Sequence, residues 1–242
     1  MTNPHPHFLF MVMEEHPYGR EMLHQLLGAG LRPALILQEA SDIATEEREK
    51  FLKRIQGNPL APTIAEQAEA HGIETVSVPV HKDEHCMPVI RRVDPNLIVL
   101  GGTRIIRGEI LEYPRDGMLN AHPGLLPECR GSASPAWSVY HDIPIGSSCH
   151  FCSAGIDTGD LVGRREVPVR RGDTYEDLCY GTLVMSGTLM TEAVTAYAGG
   201  HLAELRRPQG ESPHPTFKNM PDELLDTVFE KLRNRTYAHY VE

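Results

Sequence analysis

Leu97-Ile-Val-Leu100, running directly into Gly101-Gly102, is the most strand-like segment of the chain. Four aliphatic residues in a row, without polar alternation, describe a strand buried on both faces, and such strands belong to parallel sheets. Working outward toward the N-terminus, residues 84–92 read as a short helix and Glu74-Thr-Val-Ser-Val-Pro-Val80 as a strand. Residues 63–71 and the highly charged 42–56 read as helices, Ala34-Leu-Ile-Leu37 as a strand, and 19–28 as a helix stopped by Gly28 and Gly30. Phe8-Leu-Phe-Met-Val-Met13 is a compact buried-strand run. Strands alternating with helices imply βαβ units. The expected fold is therefore α/β, with a mostly parallel central sheet covered by helices on both faces.

Toward the C-terminus the pattern changes. Met118 to Asn120 is a short strand, and residues 146–153 and 161–169 read as a strand pair around a tight turn, an antiparallel C-terminal addition. Residues 174–198 form a long helix, opened by a capping box of Thr174 and Asp177 and closed by Gly199-Gly200. The expected organisation is one catalytic core over residues 1–205 and an extension over 206–242. The amphipathic part of that extension (Leu224, Leu225, Val228, Phe229, Leu232) is expected to cover the core or, in a homodimer, a partner subunit.

Composition narrows the function. The chain has 33 acidic and 23 basic residues, a formal net charge of −10. That opposes a mainly electrostatic nucleic-acid binder, because phosphate contacts need clustered Lys and Arg. The longest apolar run, Phe8 to Met13, is too short to span a bilayer, and the first residues lack the pattern of a signal peptide. A cytoplasmic protein with no membrane partner is expected. The five cysteines are an odd number, and Cys149-x-x-Cys152 lies in a strand, where residues three apart face opposite sides. No metal site is expected, and His5 and His7 fall in a Pro-rich stretch expected to be mobile.

Ligands of open α/β sheets sit beyond the carboxyl ends of the strands. The loop after Met13 holds Glu14-Glu-His-Pro-Tyr18, with neither a G-x-G-x-x-G nor a Walker A pattern, which disfavours a dinucleotide site. Past Met118-Leu119 comes Asn120-Ala-His122-Pro-Gly-Leu-Leu-Pro-Glu-Cys-Arg-Gly131. In an extended segment Asn120 and His122 project to the same side. Gly155-Ile-Asp157-Thr-Gly-Asp160 follows as a turn that displays carboxylates. Amide, imidazole and carboxylate divide naturally in acyl transfer to an amine. The imidazole takes the nitrogen's proton, the carboxylate orients the imidazole, and the amide N–H meets the developing oxyanion.

Asn-x-His-x-x-Leu-Leu-Pro-x-x-Arg-Gly followed by Gly-x-Asp-Thr-Gly-Asp resembles the folate-dependent formyltransferases. The resemblance covers residues 90–200 well and the first 90 weakly. It implies a Rossmann-like fold and an N-formyltransferase of one-carbon metabolism, with 10-formyltetrahydrofolate as formyl donor. The family's catalytic Asn, His and Asp fall on Asn120, His122 and Asp157. Leu100-Gly-Gly-Thr-Arg-Ile-Ile106 resembles the loop that wraps the pterin, which implies a donor site of Thr103, Arg104, Ile105, Ile106, Gly155 and Ile156.

Three departures bear on the acceptor. Methionyl-tRNA formyltransferases add a C-terminal barrel, whereas few residues follow Gly200 here and the net charge is negative. The ribonucleotide enzymes carry a Gly-rich phosphate loop where this chain has Glu14 to Tyr18. The formyltetrahydrofolate hydrolases carry a regulatory domain ahead of the core. The expected acceptor is a small-molecule primary amine in a biosynthetic reaction (an amino sugar, an amino acid derivative or a natural-product precursor), cationic or hydroxylated rather than phosphorylated, with Glu14 and Tyr18 as candidate substrate residues. Hydrolysis of the donor, or transfer of another acyl group such as carbamoyl, are the alternatives on the same scaffold.

Overall fold

The computed structural model describes residues 7–241. Its elements run β1 (Phe8–Met13), α1 (Pro17–Gly28), β2 (Leu35–Glu39), α2 (Asp42–Arg54), α3 (Ile64–His71), β3 (Thr75–Val78), α4 (Asp83–Val93) and β4 (Leu97–Leu100). They continue α5 (Glu109–Glu112), β5 (Met118–His122), α6 (Ser134–Tyr140), β6 (Gly146–Phe151), β7 (Leu161–Glu166), α7 (Tyr175–Ala198), α8 (Leu202–Leu205) and α9 (Asp222–Arg233). The seven strands form one sheet in the order β3-β2-β1-β4-β5-β6-β7. The first five are parallel, and β6 and β7 join antiparallel.

The central strands are apolar throughout because both faces are covered. Along β1, Phe8, Phe10 and Val12 enter a core with α1 and α7, while Leu9 and Met11 enter a second core with α4 and α5. Gly19 lets α1 lie close to the sheet, since a Cβ there would sit 2.3 Å from Val12 and 2.4 Å from the Gly101 carbonyl. Cys149 belongs to the first core and Cys152 packs against the second, on opposite faces as strand geometry requires. Val228 and Leu232 of α9 are buried in the first core.

Helix α1 differs from the sequence reading in a way that matters. It starts at Pro17, two residues before the predicted start, with His16 as cap accepting the Tyr18 N–H at Nδ1 (3.2 Å). Proline suits the first helical position because the N–H it lacks has no helical partner there. His7, expected in a mobile stretch, bonds the Val93 carbonyl through Nε2 at 2.8 Å, and His5 lies outside the described residues. No described helix is long and apolar enough to cross a membrane.

Candidate active site

The carboxyl ends of β4 and β5 and the facing part of β6 meet in one row. Leu100 is paired with Asn120, and Asn120 with His150. Above this row lies a cavity of about 640 Å³. Its lining includes Asn120, His122, Asp157, Thr103, Arg104, Ile105, Ile106, Gly155 and Ile156, nine residues singled out in the sequence.

At the base of the cavity Asp157 sits between two imidazoles. Its Oδ2 lies 3.5 Å from His122 Nδ1, and its Oδ1 lies 3.5 Å from His150 Nε2. The Gly131 N–H donates to Oδ2 at 2.9 Å. Asp157 itself adopts a left-handed backbone (φ 53°), a conformation that costs energy for a residue with a Cβ and recurs at functional sites. Both rings are anchored on their far side. His122 Nε2 is 2.7 Å from the Cys129 carbonyl and 3.0 Å from Ser134 Oγ, and His150 Nδ1 is 2.9 Å from the Phe151 carbonyl.

A carbonyl only accepts, so each far nitrogen carries the hydrogen. In the neutral rings the near nitrogens therefore present lone pairs, and a proton taken by either ring comes to lie against Asp157. Burial, the largest single influence, would push the Asp157 carboxyl up. The His122 charge, the His150 hydrogen bond and charge, and the Gly131 N–H outweigh it and hold the carboxyl well below the usual carboxylate range. Asn120 Nδ2 donates to His150 Nε2 at 3.2 Å, which leaves its second amide hydrogen free.

His150 was missed in the sequence. Its signal is strand alternation, because Cys149 faces the core and His150 must then face the other side, beside Asn120. The register shifts against β7 between Cys149 and His150, an irregularity of the kind that re-aims a side chain next to a site.

The C-terminal segment was missed as well. Thr216, Phe217, Lys218 and Asn219 line the cavity with Gly131 and Ser132. Phe217 N–H donates to the Arg130 carbonyl (2.8 Å), and Ser132 N–H to the Phe217 carbonyl (3.0 Å). The Phe217 ring stacks on Trp137 at 4.7 Å and 11°, and Trp137 Nε1–H donates to the Lys218 carbonyl at 2.8 Å. Gln209 donates to the Asp157 carbonyl at 3.0 Å and accepts from Arg130 at 3.0 Å, tying the Asp157 turn to the loop after β5. No sequence signal marks this strap, since its bonds run mostly through main-chain groups.

Glu14 and Tyr18 do not reach the cavity. The Tyr18 side chain is buried, packs edge-on against Phe51, and donates its hydroxyl proton to Ser186 on α7. Glu14 faces Arg48 at 3.8 Å. The neighbouring Glu15 accepts the N–H groups of Ile64 and Ala65 at 2.9 and 3.0 Å, capping α3. The acidic pair that pointed to a cationic substrate thus serves α2 and α3. Among the described residues, no cluster of three or more His, Cys, Asp or Glu is arranged to hold a metal ion.

Residues 38–194 match the family model described as formyl transferase. The methionyl-tRNA formyltransferase of Ruminiclostridium cellulolyticum is 28% identical over 154 residues, 63% of this chain and 49% of that protein. The chain covers 36% and 55% of the length of two further curated methionyl-tRNA formyltransferases, from Syntrophus aciditrophicus and Myxococcus xanthus. Glycinamide ribonucleotide transformylase 1 from Symbiobacterium toebii shares the fold, with a TM-score of 0.62 at 22% identity over 80% of this chain and 89% of that one. A sugar N-formyltransferase from Shewanella sp. gives 0.59 at 16% identity over 90% and 78%.

Proposed function

The chain belongs to the formyl transferase family, and from that membership we propose that it transfers the formyl group of 10-formyltetrahydrofolate to a primary amine of a small molecule. The observation that carries this reading is the Asp157 carboxylate held between His122 and His150, with Asn120 beside them in one cavity. An acyl transfer to nitrogen needs a proton acceptor and a donor for developing negative charge, and this cluster contains both.

The residues present fit the folate donor. Among the described residues, the main-chain N–H groups of Thr103, Arg104, Ile105 and Ile106 donate to no protein acceptor, so a heterocycle rich in acceptors finds unpaired donors in this loop. Ile105 and Ile156 are 60% and 39% exposed at the cavity, apolar surface of the sort that a flat ring covers. Bound there, 10-formyltetrahydrofolate would supply the formyl carbon.

The protein's part is proton handling and orientation. As the amine bonds to the formyl carbon, His122 Nδ1 accepts the proton that the amine loses and Asp157 holds the resulting charge; His122 then returns that proton to the donor nitrogen whose bond to the formyl carbon breaks. His150 Nε2 accepts from the Asn120 amide and fixes its orientation. The free Asn120 hydrogen points the amide's dipole at the formyl oxygen as charge gathers there. Ser134 and the Cys129 carbonyl keep the His122 ring in its tautomer.

A small molecule is favoured over a tRNA acceptor by the net charge of −10, which repels a polyanion. Two measurements test the reading. A thermal shift with dideazatetrahydrofolate should raise the midpoint by a few degrees at saturation. Formate release should then be followed with and without added amines. Formate released at the same rate with every amine, and no formamide product, would indicate donor hydrolysis instead. Absence of any shift would remove the folate assignment.

A further inference from the structure

The lining of the cavity carries two side-chain cations, Arg104 and Lys218, and one carboxylate, Asp157. Asp157 is already faced by two imidazoles and a main-chain N–H. Arg104 turns toward the buried carboxylate of Glu39 at 3.4 Å. Lys218 makes no ion pair with any described residue, although the chain has ten more acidic than basic side chains.

Its backbone is nevertheless fixed. The Lys218 carbonyl accepts the Trp137 indole N–H, and the adjacent Phe217 is both stacked on Trp137 and bonded through its main chain to residues 130 and 132. A lysine whose backbone is held at a cavity rim and whose ammonium group has no partner among the described residues is placed to receive an anion. Thr216, Asn219 and Ser132 bring neutral hydrogen-bonding groups to the same rim. The acidic residues that suggested a cationic acceptor, Glu14 and Glu15, are engaged with α2 and α3.

We propose that the acceptor amine carries an anionic group, a carboxylate or a phosphate, and that Lys218 on the C-terminal strap receives it and thereby selects the acceptor. This inference rests on the formyl-transfer reading, and it reverses the expectation of a cationic or merely hydroxylated amine. Arg104 belongs to the loop assigned to the donor, whereas Lys218 comes from a separate element that binds the loop after β5. The two cations are therefore assigned to different substrates.

The test uses matched acceptors that differ only in the anion: phosphoethanolamine against ethanolamine, and glycine against glycinamide, at saturating 10-formyltetrahydrofolate. The anionic member should have the higher kcat/KM in at least one pair. Lys218→Ala should shrink that preference by roughly tenfold, through KM more than kcat, and Lys218→Arg should restore most of it. An unchanged preference in Lys218→Ala, or a rise in the KM of the donor instead, would overturn the proposal.

Should none of these amines be formylated, calorimetric binding of pyrophosphate and of citrate decides. It would be measured on the wild-type protein and on Lys218→Glu, each with and without dideazatetrahydrofolate. At least one anion should bind alongside the analogue, and Lys218→Glu should abolish it. The anion that binds distinguishes phosphate from carboxylate recognition. No binding of either anion, equal binding to the variant, or displacement of the analogue by the anion would each reject the inference. Because Lys218 is exposed, all three variants should keep the wild-type melting midpoint. Failure of the analogue itself to bind is read separately and counts against the folate reading, not against the anion site.

Discussion

At the scale of single residues the site is a carboxylate shared by two rings. Asp157→Asn keeps the shape and removes the charge that stabilises the protonated His122 ring, so kcat should fall by at least about a hundredfold while the fold survives. Steady-state kinetics and a melting curve check both halves. The same substitution has a pH signature. The Asp157 carboxyl is depressed in the fold, so its stabilising contribution is complete above the ordinary value of about 4 and is lost as pH falls through the depressed one. The melting gap between wild type and Asp157→Asn should accordingly narrow below about pH 4. His150→Gln keeps a hydrogen-bonding partner for Asn120 but loses the second ring. It should lower kcat more than it raises KM for the donor, and equal effects on both would deny His150 a role in orienting the cluster. That Asn120, His122 and Asp157 meet in one cavity was legible from two motifs and from the family those motifs resemble. His150 was hidden by its neighbours, since Cys149 and Cys152 drew attention to a ligand pattern when the informative feature was the alternation between them.

At the scale of elements, the strands were legible and the strap was not. β1 and β4 are uninterrupted apolar runs, which burial on both faces demands. α1 was read two residues short, which left Tyr18 in a loop when it belongs to a helix facing α7. The strap is mostly Pro, Gly and polar residues around Phe217, and most of its bonds are to main-chain groups, so no periodicity reports it. Its attachment gives a sharp prediction. Gly131 has φ +98°, and a Cβ there would sit 2.0 Å from the Phe217 carbonyl oxygen. Gly131→Ala should therefore destabilise the protein by about 1–3 kcal/mol and loosen the strap, measurable as a lower melting midpoint and a raised KM for the acceptor. Gly210→Ala, which meets nothing within 4 Å, is the control expected to change neither.

At the scale of the whole molecule, acid should weaken the fold before it reaches the carboxylates. His16, buried as the cap of α1, is shifted down to about 4 by burial, which outweighs the attraction of Glu47. His81, buried against Glu39, is likewise shifted down to about 4, again chiefly by burial. A folded value below the ordinary 6.5 means that the unfolded chain takes up protons which the fold refuses, so stability declines as pH drops from 6.5 toward 4. Each such proton contributes a slope of roughly 1.4 kcal/mol per pH unit. Melting midpoints should fall between pH 7 and pH 5, and His16→Asn, which keeps a capping oxygen, should flatten part of that slope. The order of residues along the chain also sets when the site is complete. Its base comes from residues 120–157, whereas its rim waits for residues 216–219 to lie down on the loop after β5. On the ribosome the proton-handling residues therefore emerge well before the surface proposed to choose an acceptor, and the loop after β5 waits for the strap to close over it.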